Sequence, residues 1–167
     1  MAILITALRA EHDLDHFDCG QLMLNNWLQQ TARQHQKKLL SQTYVLVDEI
    51  LPSKVLGFYC INQRGLVPSD VLPLKEAKKL PIKFPALTIG RLAVDVHAQG
   101  YRYGEELLVD AMLRAKKVSQ VIGSWGLFVD AKDDQAAAFY SKYGFVALAS
   151  NPLVLFIPIA SLPDDVD

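Results

Sequence analysis

A chain of 167 residues, 51% apolar and 21% charged, has the make-up of one globular domain whose core is large enough to stand without disulfide or metal staples. No apolar run approaches the ~18 residues that a membrane span needs. The amino-terminal stretch also lacks a basic flank and a small-residue cleavage site, so a cytoplasmic protein with no membrane partner is expected. A formal net charge of −1 gives no support to wholesale electrostatic attraction to nucleic acid and leaves a local basic face open.

Residues 3–8, ILITAL, read as a first strand, and residues 17–38, FDCGQLMLNNWLQQTARQHQKK, as a helix. Asp18 followed by Gln21 has the spacing of a capping box. Leu22, Leu24, Leu28 and Ala32 gather on one helical face, with Arg33, Lys37 and Lys38 on a polar one. QTYVLVD and KVLGFYCIN are two further strands joined by an acidic turn, and residues 65–83 read as a loop with one or two helical turns. ALTIGRLAVDV is a strongly apolar central strand. From Gly104 the spacing of Leu107, Leu108, Ala111, Met112, Ala115 and Val118 predicts a long helix. WGLFVDA is a strand, DDQAAAFYSKYGF a short helix capped by Asp133 or Asp134 and ended by Gly144, and LVLFIPI a last strand. The order predicts an α/β (α+β) domain over 1–167, with a mixed central sheet of six to seven strands and helices on both faces. Cys19 and Cys60 have no metal-ligand spacing and are expected to be buried thiols.

Between the central strand and the long helix lies QGYRYG. A helix start presents amides without intrahelical partners and about half a unit of positive charge, and glycine lets a backbone approach an anion closely. Two glycines before a helix also make a plain turn. The surrounding motifs, LAVD on the strand, QGxxxG, DAKDDQAAAFYSKYGF and PLVLFIP, resemble the GNAT superfamily of acetyl-CoA-dependent N-acetyltransferases. FDCG...LNNWL, SQTYVLV and IGRLAVD resemble more narrowly the GNAT toxins of bacterial toxin–antitoxin pairs.

The resemblance implies a GNAT fold and transfer of an acetyl group from acetyl-CoA to the α-amino group of aminoacyl-tRNA, inhibiting translation. It implies that backbone groups of Leu92, Ala93 and Val94 pair with the pantetheine arm. Gln99, Gly100, Tyr101, Arg102, Tyr103 and Gly104 would cradle the pyrophosphate, and Ala137 and Tyr140 would line the thioester end, with Tyr140 as general acid and Tyr143 as the fallback. Arg102 stands where the family pattern has glycine: a side chain there either imposes a strained φ or projects into the phosphate's space, which leads to the expectation of a weakened cofactor site. A guanidinium that binds the phosphate stays open as the alternative. A homodimer and a small ribbon-helix-helix antitoxin are implied as partners. An α-amino group has a pKa of about 7.7–8.0, lower still beside an ester, so much of such a substrate is neutral at cellular pH and a strong protein base is optional.

Arg33, Lys37, Lys38 and Arg91 are the candidate substrate-binding cations, with Lys75, Lys78, Lys79 and Lys83 in the connector as further surface cations. An arginine inside TIGRLAVD is costly to bury unpaired and should face a cleft, a carboxylate or a substrate. His12 and His16 beside Asp13 and Asp15 read as solvated loop, His35 as surface and His97 as loop; no metal site is expected. Two other functions remain open: acetylation of a small-molecule amine or protein N-terminus, and a catalytically inactive protein that binds only coenzyme A or an antitoxin.

Overall fold

The computed structural model describes residues 2–164. Its strands form a seven-stranded mixed sheet: β1 (Ile3–Ala7), β2 (Gln42–Asp48), β3 (Gly57–Pro68), β4 (Lys83–Val94), β5 (Gly126–Asp130), β6 (Val146–Ala147) and β7 (Val154–Pro158). Their order across the sheet is β1-β2-β3-β4-β5-β7-β6. The helices are α1 (Leu22–Gln30), α2 (Ala32–Lys37), α3 (Leu74–Ala77), α4 (Tyr103–Ile122) and α5 (Asp134–Lys142). The chain divides into two compact units, residues Met1–Asn62 with Gly90–Ala111 and residues Gln63–Ile89 with Met112–Asp167.

In the first unit β2 pairs antiparallel with β1, from Ile3↔Asp48 to Ala7↔Tyr44, and with β3, from Gln42↔Ile61 to Leu46↔Gly57. Alternation along these strands assigns their side chains to two faces. Val45, Val47, Phe58 and Cys60 join Trp27, Leu28 and Ala32 of α1 and α2 in one buried cluster. On the opposite face Tyr59 donates its hydroxyl to Asp110 of α4 at 2.6 Å. A Cβ on Gly57 would stand 2.9 Å from Leu107 Cδ1 of α4 and 3.1 Å from Ala93 O, so the glycine relieves a crowded position beneath the helix. Removing the fully buried Phe58 ring would cost about 3–5 kcal/mol.

The second unit holds the parallel pairing of β4 with β5, Ala86↔Gly126 to Ile89↔Val129, and the antiparallel pairing of β7 with β5 and β6. Phe84, Phe128 and Phe156 form its centre. Arg64 reaches both carboxylate oxygens of Asp130 at 3.0 Å while its guanidinium lies 4.9 Å over the Phe128 ring.

Several predicted boundaries move. The helix over 17–38 is shorter and divided: Gly20 turns the chain at φ +85°, α1 starts only at Leu22, and Thr31 interrupts the helix at φ −121°. Asp18 is therefore not a helix cap, and its carboxylate accepts from Gly20 N and Asn25 Nδ2 instead. Strand β3 runs on through residues 65–68, which read as loop, and the two-residue β6 carries no pattern long enough to see. The helical turns of the connector are a 3-10 turn at Ser69–Val71 and the short α3. Asp133 caps α5 by accepting from Ala136 N at 2.8 Å, and Gly144 follows the helix at φ +98°. Along α4, Leu107, Leu108, Ala111 and Ala115 are fully buried, while Val118 is exposed.

Candidate active site

In the first unit β4 ends at Val94 and is followed by Asp95, a 3-10 turn at Val96–Ala98 and the turn that opens α4. Gly100 has φ +92° and nothing within 4 Å of where a Cβ would stand, so the turn is open there. Arg102 has φ +62°, the left-handed conformation that glycine adopts without cost and that burdens an L side chain by about 1–2 kcal/mol. Of the two consequences expected of Arg102, the strained φ is present. The side chain is 82% exposed, with Nη1 4.0 Å from the carboxylate of Glu105. Tyr101 is exposed and stacks at 5.6 Å on the buried Tyr103. Gln99 donates from Nε2 to Val94 O at 3.2 Å, which ties the start of the turn back to the end of β4. Leu92 and Val94 are half-buried, and Ala93 packs into the core beneath. Gly104 is a half-buried position in the first turn of α4.

Behind this turn is a cavity of about 220 Å³ lined in part by Asp48, Lys54, His97, Tyr101 and Tyr103. Sequence reasoning missed it. Its only trace there is the pair of aromatics flanking Arg102.

The candidate cations differ in how they are held. Arg33 donates from Nη2 to the carbonyls of His12 at 2.6 Å, Arg9 at 3.2 Å and Ala10 at 3.4 Å, so its charge clips the loop after β1. Lys37 and Lys38 are exposed at the end of α2. Arg91 is half-buried, and its guanidinium lies 4.3 Å over the Trp27 ring, a cation–π contact that offsets part of its desolvation. The thiol of Cys60 is buried and pushed up by that burial, with Arg91 acting against the shift. Both cysteines are thiols, Cys60 buried and Cys19 only partly so. A Cβ on Gly90 would stand 2.9 Å from Asn62 Oδ1 and 3.0 Å from Cys60 Sγ, which explains the glycine before Arg91.

The histidines of the first loop separate. His16 is exposed and paired with Asp13 at 2.7 Å, as expected of a solvated loop. His12 is not solvated: it is 6% exposed, and its Nδ1 accepts from Arg9 N at 2.9 Å. Burial lowers its pKa, outweighing the opposing effects of Glu11 and of the hydrogen bond with the Arg9 backbone, while the charges of Arg33 and Arg9 act in the direction of the burial. His35 is half-buried, edge-on to Trp27, and His97 is exposed. Among the described residues no group of three or more His, Cys, Asp or Glu is placed to hold a metal ion, and no helix is long and apolar enough to cross a membrane.

In the second unit Tyr140 is 7% exposed on α5, with Phe139 at 5.2 Å and Phe145 at 5.7 Å. Burial pushes its hydroxyl up to about 12, so it is a protonated donor at neutral pH. Ala137 is half-buried one turn earlier. Tyr143 is half-buried at the end of the helix, against Phe139.

A strand that delivers a left-handed turn onto a 20-residue helix, followed by a short helix carrying a buried tyrosine, is the arrangement of an acetyl-CoA-dependent acyltransferase. The chain belongs to the GNAT acetyltransferase family, whose domain model matches residues 40–147. It is 31% identical to a probable TacT toxin of Sinorhizobium fredii, over 90% of this chain and 87% of that one. It is 29% identical to a tRNA-acetylating toxin of Mycobacterium tuberculosis, over 87% and 85%. Among solved structures, AtaT complexed with acetyl-methionyl-tRNAfMet is similar at 32% identity and a TM-score of 0.88, with 96% of both chains covered.

Proposed function

We propose that this enzyme moves the acetyl group of acetyl-CoA to the α-amino group of an aminoacyl-tRNA and thereby stops translation. The observation that carries the reading is the left-handed turn opening α4, in a chain spanning nearly the whole of relatives named for tRNA acetylation. On this reading both units act as one GNAT domain, a view supported by β3, β4 and α4, each of which has residues in both.

Backbone groups of Leu92–Val94 hold the pantetheine arm, and Gln99–Gly104 with the first turn of α4 receives the pyrophosphate. Ala137 lines the thioester end. The neutral α-amine attacks the thioester carbonyl; the C–N bond forms as the C–S bond breaks, the nitrogen gives up one proton to solvent, and coenzyme A leaves as its thiolate. Tyr140 meets that sulfur as a hydrogen-bond donor. With its hydroxyl near 12 and a thiol reference of about 8.5, full proton transfer is uphill, so the contribution is stabilisation of the departing thiolate. Lys37 and Lys38 meet tRNA phosphates, Arg91 lies towards the aminoacyl end, and Arg33 supports the loop beneath.

A small ribbon-helix-helix antitoxin, a homodimer and a cytoplasmic setting complete the reading. A solved AtaT mutant bound to the C-terminus of its antitoxin AtaR, 31% identical with a TM-score of 0.79, supports the antitoxin. The deciding experiment gives the purified protein labelled acetyl-CoA with charged tRNA, uncharged tRNA, small amines and peptides. Label recovered as an acetyl-aminoacyl group on charged tRNA alone is expected. Label on amines or peptides but not on tRNA would overturn the substrate, and no transfer with intact coenzyme A binding would make the chain an inactive binder.

A further inference from the structure

Two motifs far apart in sequence, FDCG...LNNWL before and within α1 and LAVD at the end of β4, meet in one hydrogen-bond network inside the first unit. Asp95 is 5% exposed and its carboxylate is divided between two backbones. Oδ1 accepts from His97 N at 2.9 Å, fixing the 3-10 turn that leads to Gln99, and Oδ2 accepts from Asp18 N at 3.0 Å, 77 positions away. Asp18 O in turn accepts from Val96 N at 2.8 Å, and Asp95 N donates to Leu56 O at 2.9 Å. The loop end is equally closed. Asp18 Oδ1 accepts from Gly20 N at 2.8 Å and Asn25 Nδ2 at 2.9 Å, while Asn25 Oδ1 accepts from Cys19 N at 2.9 Å. Three successive amides, 18, 19 and 20, thus end on side-chain oxygens of this network. Gly20 lies close to the same turn, since a Cβ there would stand 3.5 Å from Val96 Cγ1.

We propose that Asp95 is a positioning residue that couples the turn at 99–104 to the Asp18–Asn25 loop, so that acetyl-CoA bound at the turn sets the loop and the α1–α2 segment that follows it. The inference rests on the function proposed above, in which the turn holds the cofactor and Lys37 and Lys38, at the end of the α1–α2 segment, meet the tRNA. The physical ground is that one buried carboxylate orders both sides. A charged acceptor makes each bond stronger than a neutral one would, and a shift of Asp95 on one side changes the distance on the other. The coupling is reciprocal: whatever acetyl-CoA does to the loop, the acceptor bound by the loop's helices does to acetyl-CoA.

Hydrogen exchange with acetyl-CoA as the probe tests it. In the wild type, saturating acetyl-CoA should slow exchange of the turn amides at 99–104 and of amides 18–20 together. Asp95→Asn keeps the shape but replaces one accepting oxygen by a donor. It should retain protection at the turn, lose it at 18–20, and raise KM for charged tRNA roughly tenfold with a smaller change in kcat. Asn25→Ala leaves Asp95 untouched and should weaken acetyl-CoA binding severalfold through the loop alone. Protection of the turn without the loop in the wild type, or unchanged acetyl-CoA binding in Asn25→Ala, overturns the coupling while leaving the cofactor site standing. Acetyl-CoA that binds without protecting the turn overturns the cofactor reading and the coupling with it.

Discussion

Two residues carry predictions that their own surroundings decide. Tyr140 is buried among Phe139 and Phe145 and stays protonated to about 12, so no loss of its proton should limit the rate anywhere near neutrality. Between about pH 6 and 9 the rate should rise with deprotonation of the substrate amine and then level, with no falling limb. Tyr140→Phe should keep the fold and acetyl-CoA affinity and slow transfer by about 10²- to 10³-fold, the loss expected when one donor to a developing negative charge is removed; full activity would remove Tyr140 from the reaction. His12 makes the opposite use of burial. Its pKa is lowered from 6.5, so below that value the unfolded chain binds a proton that the folded chain resists. Stability from this residue is therefore complete above 6.5 and is lost as pH falls through it towards the folded value. His12→Asn offers an acceptor that does not titrate, and its urea midpoint should fall less between about pH 7.5 and 5.5 than the wild type's. Equal falls in both proteins would show that His12 does not set the slope.

At the scale of elements, the periodic pieces were legible and the punctuated ones were not. The spacing from Leu107 to Ala115 predicts α4 because burial on one face is a property of the repeat itself. Asp18 misled because its spacing to Gln21 fits a cap, whereas Gly20 at φ +85° sends the chain elsewhere and the carboxylate turns to Asn25 and Gly20. Asp95 was visible only as the last letter of LAVD, since its partner is 77 positions away and no local pattern records it. The turn before α4 shows both cases at once: Arg102 out of place in a glycine pattern was readable, and its φ of +62° follows from that pattern. Replacing it by glycine should stabilise the fold by up to about 1 kcal/mol, because the ~1–2 kcal/mol of relieved left-handed strain is partly offset by the ~0.5–1 kcal/mol of extra backbone entropy that glycine loses on folding. It should also tighten acetyl-CoA binding by up to about tenfold, because an unhindered turn meets the pyrophosphate with backbone alone. Calorimetry of both proteins separates this from the alternative. Equal or tighter binding by the arginine form would mean that its guanidinium, 4.0 Å from Glu105 in the structure, moves to the phosphate and serves as a ligand.

For the whole molecule the governing quantity is charge: with a formal net charge of −1, the protein has no overall field to draw in a polyanion such as tRNA. Affinity for tRNA then depends on a few cations whose heads are at the surface. The three cations grouped at the end of the first helical segment are not equivalent in this respect. All three residues are exposed, but the Arg33 guanidinium is committed to three carbonyls of the loop after β1. Each phosphate neutralised by a cation releases counterions, and the logarithm of affinity falls with the logarithm of salt by about 0.7–0.9 per contact. Changing Lys37 and Lys38 together to glutamine should therefore weaken tRNA binding for every sequence tested, flatten the salt slope by about 1.4–1.8, and leave acetyl-CoA affinity as it was. Arg33→Gln should do the reverse, lowering the melting temperature by freeing His12, Arg9 and Ala10 carbonyls while changing the slope by little. Filter binding of tRNA over a salt series reads both variants. An unaltered slope in the double lysine variant would return Lys37 and Lys38 to the solvated surface, and a full unit lost in Arg33→Gln would mean that its guanidinium leaves the loop for a phosphate.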